Sequence, residues 1–360
     1  MRSTEAPDAA PDAVPTPPRR GLLLVNLGTP DAPDPRAVRR YLAEFLMDRR
    51  VVDLPAPWRW LLVHGVILRS RPKVSSHAYR KIWTERGSPL MVHGRALAGQ
   101  VAQRLGGEFE VELAMRYGSP SLASALGRLR SRGVDRLTVL PLYPQSAASS
   151  SGSTAARLYQ LLEREWDAPP VDVLPAFFDD PGYLDAYAAV AGEALARAPA
   201  DHVLFSFHGV PERHVRRSDA TGVQCLGSPS CSDALTPANR SCYRAQCLFT
   251  ARELARRVGL SGGGFTVSFQ SRLGRTKWIE PYTDATLSAL ARRGVKRLAV
   301  VCPSFVADCL ETLEEIGIRG RDQFLREGGE AFTLVPCLNA DPRWVDAVVR
   351  LARREEVRGP

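Results

Sequence analysis

Residues 132–144 read RGVDRLTVLPLYP, and residues 293–305 read RGVKRLAVVCPSF. In each, an Arg-Gly-Val turn leads into a run of four or five apolar residues, then a proline and an aromatic. A helical pattern precedes each. Short apolar runs of this kind read as strands buried on both faces, as in a parallel sheet covered by helices. A second pair follows the same order: LLLVNLGTP at 22–30 and VLFSFHGVP at 203–211. Two matched pairs in one order indicate a duplication. The expected fold is therefore α/β: two comparable βα halves, 21–175 and 176–355, each with a mainly parallel sheet. A cleft lined by strand-end loops should lie between them. Residues 1–20, rich in Pro, Ala and Asp, read as a disordered tail.

The chain has 360 residues, 44% hydrophobic and 24% charged, which is ordinary for a globular protein. Its net charge is +9. The tail balances Glu5, Asp8 and Asp12 against Arg2, Arg19 and Arg20, so the excess belongs to the folded part. Such a surplus suits acidic ligands or an anionic membrane surface. No zinc-finger spacing, basic helix or aromatic-basic repeat points to nucleic acid, and no GxxxxGK[ST] points to nucleotide hydrolysis. The cysteine count is odd and no charged-then-apolar leader opens the chain, so a cytoplasmic location is expected. No apolar run approaches the roughly 20 residues of a spanning helix. Nothing in the sequence specifies an oligomer.

Four stretches carry chemistry. His208 ends the apolar run Val203–Phe207, which places an imidazole where open α/β sheets bind ligands. After the run at 298–301, Asp308, Glu311 and Glu315 stand at i, i+3 and i+7, along one face if the helix starts there. A histidine and a row of carboxylates facing one cleft can accept protons and pass them outward. Cys225, Cys231, Cys242 and Cys247 follow a C-x5-C-x10-C-x4-C spacing within a polar insertion at about 219–250. Clustered thiols there suit one metal site, with zinc and an iron–sulfur cluster both open. Finally, PWRWLLVHGVIL at 57–68 is either a core helix or an exposed lip that touches a bilayer, with Arg69, Arg71 and Lys73 beside it.

Taken in order, LLLVNLGTP, YRKIWTERGSPL, MRYGSPS, LPLYPQ, SFHGVPERHV, SFQSRLG, KWIEPYTD and SFVADCLETLEEIG resemble ferrochelatase from about residue 21 to 350. The resemblance implies two Rossmann-like, chelatase-type lobes with a porphyrin between them and Fe²⁺ as the metal inserted. It implies that His208 and Glu311 handle pyrrole protons and metal across the ring, with Asp308 and Glu315 continuing a path for protons or iron. It places Leu27, Tyr79, Ser88, Arg116, Tyr117, Trp278 and Phe305 against the porphyrin or its propionates. An arginine suits a propionate because a guanidinium can give a carboxylate two hydrogen bonds.

This sequence departs from the family pattern in places. Cys309 stands where many relatives have histidine, which leaves that position without a required chemical role unless the thiol substitutes. Leu27 stands where coproporphyrin-type relatives have a metal-ligating tyrosine, which favours protoporphyrin IX as substrate. The chain ends before the C-terminal cysteine extension of the animal enzymes. Instead, the 225–247 loop resembles the internal four-cysteine insertion of some bacterial members, which implies a [2Fe–2S] cluster rather than zinc. A coproporphyrin or other tetrapyrrole chelatase, or a haem or metal carrier, are the alternatives.

Overall fold

The computed structural model describes residues 18–228, 230–260, 262–274 and 276–354; the expected tail lies, through residue 17, outside the described residues. Among the described residues there are eight strands: β1 (Arg20–Thr29), β2 (Phe109–Gly118), β3 (Arg136–Pro141), β4 (Val171–Val173), β5 (His202–His208), β6 (Phe265–Gln270), β7 (Arg297–Val301) and β8 (Ala331–Leu334). They form two sheets in the orders β2-β1-β3-β4 and β6-β5-β7-β8, every pairing parallel. The second order is the first advanced by four. The two repeated stretches supply β3 and β7, and the second repeated pair supplies the central strands β1 and β5. The duplication visible in the sequence is thus a duplication of sheet topology.

The central strands are buried on both faces, as their unbroken apolar runs require. Leu22 to Val25 are fully buried, as is Leu204, and Val203 and Phe205 nearly so. Leu23 and Val25 face a core with Leu129 and Leu158, and Leu204 and Val300 face the matching core with Leu287 and Phe324. Leu22 and Leu24 join a third core that also contains Val203, Phe205, Tyr187 and Trp344. This cluster belongs to both halves. The helix Pro342–Arg353 closes it, packing against Pro181–Arg197 and Pro89–Leu105, with Arg104–Asp346 and Arg353–Glu108 ion pairs at its edge. The last helix of the second half therefore covers the first. Trp344 is fully buried within it, and its truncation would cost about 3–5 kcal/mol.

At the carboxyl end of β1, Gly28 pairs with Tyr117 at φ +128°. A Cβ there would collide with the Tyr117 carbonyl oxygen, so glycine is needed for this close approach.

A helical arm runs over Ala56–Trp60, Leu61–Ile67 and Leu68–Ile82, the middle piece in π geometry. Val63 and Leu68 are buried against Leu46, while Trp58 (65% exposed), Trp60, Leu61 and Val66 face outward. Of the two expectations for 57–68, a core helix does not describe the structure: most of the segment is exposed or half-buried, with Val63 and Leu68 alone buried. Arg69, Arg71 and Lys73 are also exposed beside it.

Candidate active site

His208 is the last residue of β5, and its backbone is held on both sides. Its N–H donates to Ser304 Oγ at 2.9 Å, and its carbonyl accepts from Tyr243 Oη at 2.6 Å. The turn that follows needs Gly209, because a Cβ there would approach Gln270 O to 2.9 Å. The ring is fixed as well. Nδ1 lies 2.6 Å from Gly209 O, and a carbonyl can only accept, so Nδ1 carries the hydrogen. In the neutral ring Nε2 then keeps its lone pair. Phe305 and Trp278 flank the imidazole, with centroids at 6.1 and 6.5 Å. Trp278 is anchored through its indole N–H to Leu273 O at 2.9 Å.

Glu311 opens a helix over Glu311–Gly320 in which Arg321 N–H reaches back to Ile316 O. Hydrogen bonds that span five residues define a π-helix, a form frequent at functional sites. The wider turn sets residues four apart along one stripe, so Glu311 and Glu315 follow each other. Gln270 Nε2 pins the Glu311 carbonyl at 2.8 Å. Glu315 is held by Ser271, whose N–H and Oγ donate to its two oxygens at 2.8 and 2.6 Å. Burial raises the Glu315 carboxyl above its ordinary range; the Ser271 bond and the His208 charge oppose this, and the Glu311 charge adds to it. His208, Glu311 and Glu315 are thus within electrostatic reach of one another.

His208 and Glu311 line one cleft, open to solvent at the strand ends. Leu27, Tyr79, Ser88 and Phe305 line it too. Ser88 accepts from Thr29 Oγ1 at 2.8 Å, and burial pushes the Tyr79 hydroxyl well above its usual range. The sequence reading missed Tyr41, Phe45, Tyr143, Tyr243 and Ser304 on the same wall. Tyr143 stood within LPLYPQ and Ser304 within the repeated CPSF, so position at a strand end was the available signal. Cys309 also lines the cleft, and burial raises its thiol, with the Glu311 charge adding to the effect.

Three expected residues stand elsewhere. Asp308 precedes the helix, so it does not extend the row of acids. Its carboxylate accepts from Asn339 Nδ2 at 2.8 Å, Thr312 Oγ1 at 3.2 Å and Cys337 N at 3.3 Å, which staples two loops together. Arg116 and Tyr117 do not line the cleft. Arg116 Nη2 and Tyr117 Oη both donate to Asp48 Oδ2, at 2.6 and 2.9 Å, and Arg116 Nε donates to Ser153 Oγ at 2.7 Å. Burial pushes the Asp48 carboxyl up, but the bonds from Ser153, Arg50 N–H, Tyr117 and Arg116 outweigh it and hold it low. These bonds form a network that anchors the chain entering the lip.

The four clustered cysteines are all buried and free. Cys225 and Cys242 share a hydrogen bond, Cys225 feels Cys231, and Cys247 feels Cys242. Burial, with the Cys242 bond, raises the Cys225 thiol, and burial alone dominates at Cys247. Burial opposes ionisation at Cys231 too, but Ser232 and two backbone bonds lower it overall. The four thiols are soft donors by type, and no set of three or more side chains placed to hold a metal stands among the described residues.

Twin four-stranded parallel lobes with a cleft at the strand ends define a two-lobed, chelatase-type fold. The solved structure of SirB from Bacillus subtilis with Fe3+ has this fold, at a TM-score of 0.50 and 12% identity, covering 93% of this chain and 95% of that one. A family model for ferrochelatase matches residues 19–356. The chain is 53% identical to a ferrochelatase of Azotobacter vinelandii over 92% of this chain and 98% of the relative. It is 50% identical to one of Pseudomonas fluorescens (92% and 97%) and 46% identical to one of Coxiella burnetii (93% and 93%). The chain belongs to the ferrochelatase family, and it inserts iron into a porphyrin for haem synthesis.

Proposed function

We propose that the substrate is protoporphyrin IX and that His208 and Glu311 divide the work of insertion. Two pyrrole N–H bonds break as Fe²⁺ enters, so two protons leave for each iron and the metal stays ferrous. His208 Nε2 takes the first proton, because its lone pair is free while Nδ1 is committed to Gly209. Glu311, on the same cleft, faces the metal and takes part in the second transfer. Glu315 passes protons outward. Leu27, Tyr79 and Phe305 form the apolar wall, with Ser88 beside them, and Trp278 holds the His208 ring from behind. The observation that carries this reading is the fixed imidazole and the Glu311 carboxylate on one cleft.

Leu27 presents only methyl groups where a coproporphyrin enzyme would present a metal ligand, which supports protoporphyrin. An anaerobic assay comparing the two porphyrins with Fe²⁺, Co²⁺ and Zn²⁺ tests this. Protoporphyrin with Fe²⁺ should turn over fastest; preference for coproporphyrin would overturn the assignment.

Cys225, Cys231, Cys242 and Cys247 would hold a [2Fe–2S] cluster, whose chemistry would be structural or redox-sensing, since insertion changes no oxidation state. Freshly purified protein should contain iron and acid-labile sulfide in equal amounts; zinc without sulfide would contradict it. The exposed Trp58, Trp60, Leu61 and Val66, with the basic residues that follow, support a peripheral membrane contact through 57–71. The seven free thiols support a reducing, cytoplasmic setting.

A further inference from the structure

The stripe that starts at Glu311 and runs through Glu315 does not end in an acid. Its next member, four residues on, is Arg319. Arg319 Nε donates to Glu314 Oε2 at 2.8 Å, and Lys81 Nζ, from the helix Leu68–Ile82 of the other half, approaches Glu314 Oε1 at 3.2 Å. Glu314 is nearly buried, with only 5% of its side chain exposed, whereas the Arg319 side chain is 61% exposed. The outer end of the stripe therefore presents two cations for one carboxylate. Arg319 is close enough for its charge to act on Glu315. Both oxygens of Glu315 are already occupied by Ser271 donors.

A divalent metal needs several lone-pair donors and an approach free of like charge. The outer stripe offers neither: Arg319 and Lys81 have no lone pairs to give, and Ser271 points hydrogens at both oxygens of Glu315. A proton needs only one acceptor at a time and travels between hydrogen-bonded groups. The two cargoes that a row of acids could carry are thus separated by what stands at its end.

We propose that Arg319, supported by Lys81, bars divalent cations from the outer end of the π-helical stripe, so that Fe²⁺ reaches the ring through the open mouth of the cleft and the stripe passes only protons. Arg319 acts here as a specificity-determining residue that touches neither substrate. The inference rests on the proposed reading in which His208 and Glu311 face the ring. Charge balances without a further reactant: two protons leave along one route as one Fe²⁺ enters by another.

The test compares wild type, Glu315→Gln, Arg319→Gln and Arg319→Glu by anaerobic insertion at saturating porphyrin, with Fe²⁺ varied. Glu315→Gln is expected to lower kcat about tenfold while the Fe²⁺ KM stays within twofold of wild type. Arg319→Gln, which keeps Lys81 on Glu314, should also leave the Fe²⁺ KM within twofold, with circular dichroism confirming its fold. Mn²⁺ titration followed by electron paramagnetic resonance needs no turnover and supplies a second readout. Arg319→Glu should gain an Mn²⁺ site that wild type lacks, and Glu315→Gln should leave the wild-type titration unchanged. A tenfold rise in Fe²⁺ KM with kcat retained in Glu315→Gln, or a wild-type Mn²⁺ site that this change removes, would overturn the proposal. Failure of the underlying reading looks different: it would appear as undiminished turnover in His208→Ala.

Discussion

The Tyr243 hydroxyl donates to the carbonyl oxygen of His208 at 2.6 Å. Tyr243 directly follows Cys242, begins the helix Tyr243–Val258 and interacts with Cys247 through its hydroxyl. One phenol therefore joins the cysteine insertion to the backbone of His208. The bond is partly buried, so deleting it leaves the carbonyl without this partner at a cost of about 1 kcal/mol. Tyr243→Phe is expected to lower kcat about tenfold in the insertion assay, with the iron and sulfide content of the loop unchanged. Turnover equal to wild type would show that this bond does not position His208.

A second link crosses the cleft from the base of the lip. Asp53 accepts from Arg213 Nε at 3.0 and 2.8 Å and from Arg213 Nη2 at 2.5 Å, with His214 and Arg217 at 3.4 and 3.5 Å. The Arg213 bond, aided by His214, holds the Asp53 carboxyl well below the usual carboxylate range, and only burial opposes it. A depressed acid contributes stability above its unfolded pKa, and that contribution is lost as pH falls toward the folded value. Wild type should thus exceed Asp53→Asn by about 1 kcal/mol at neutral pH, a modest figure because Arg213 is solvent-exposed. The gap should shrink below about pH 4, where the unfolded carboxyl takes up its proton. Urea denaturation at pH 7 and pH 3 measures it; an equal gap at both would rule out the ion pair as its source.

The lip should bind anionic vesicles. Trp58 and Trp60 are more than half exposed and contribute little to the core, so replacing both with serine should leave thermal stability unchanged. Co-sedimentation with phosphatidylglycerol vesicles is expected to fall about tenfold, and added salt should weaken the wild-type interaction through Arg69, Arg71 and Lys73. Binding equal to wild type in the double variant would remove this face from the membrane contact.

The sheets were legible in the sequence because β1, β3, β5 and β7 are buried on both faces and carry unbroken apolar runs. The repeat of RGV-turn, strand and proline then gave their order. His208 was legible because it stands where such a run stops. Other features depend on contacts that no local pattern encodes. Asp48 collects Arg116 and Tyr117 from 68 and 69 residues away, a tie between distant elements. Asp308 fell off the acidic face because the helix begins later, and its carboxylate answers to Asn339 across the fold. The π geometry of Glu311–Gly320 leaves no distinct apolar period over ten residues, so an α-helix was the natural reading. The shared core around Trp344 also lay hidden, since an amphipathic helix does not reveal which half it covers.

The most direct measurement is anaerobic Fe²⁺ insertion into protoporphyrin by His208→Ala and Glu311→Gln, made alongside circular dichroism and iron and sulfide analysis of the same samples. If the imidazole and the carboxylate work on one ring, each variant keeps its fold and its bound iron and loses turnover by about 10²–10⁴-fold. Turnover within a few-fold of wild type in either correctly folded variant would contradict that claim.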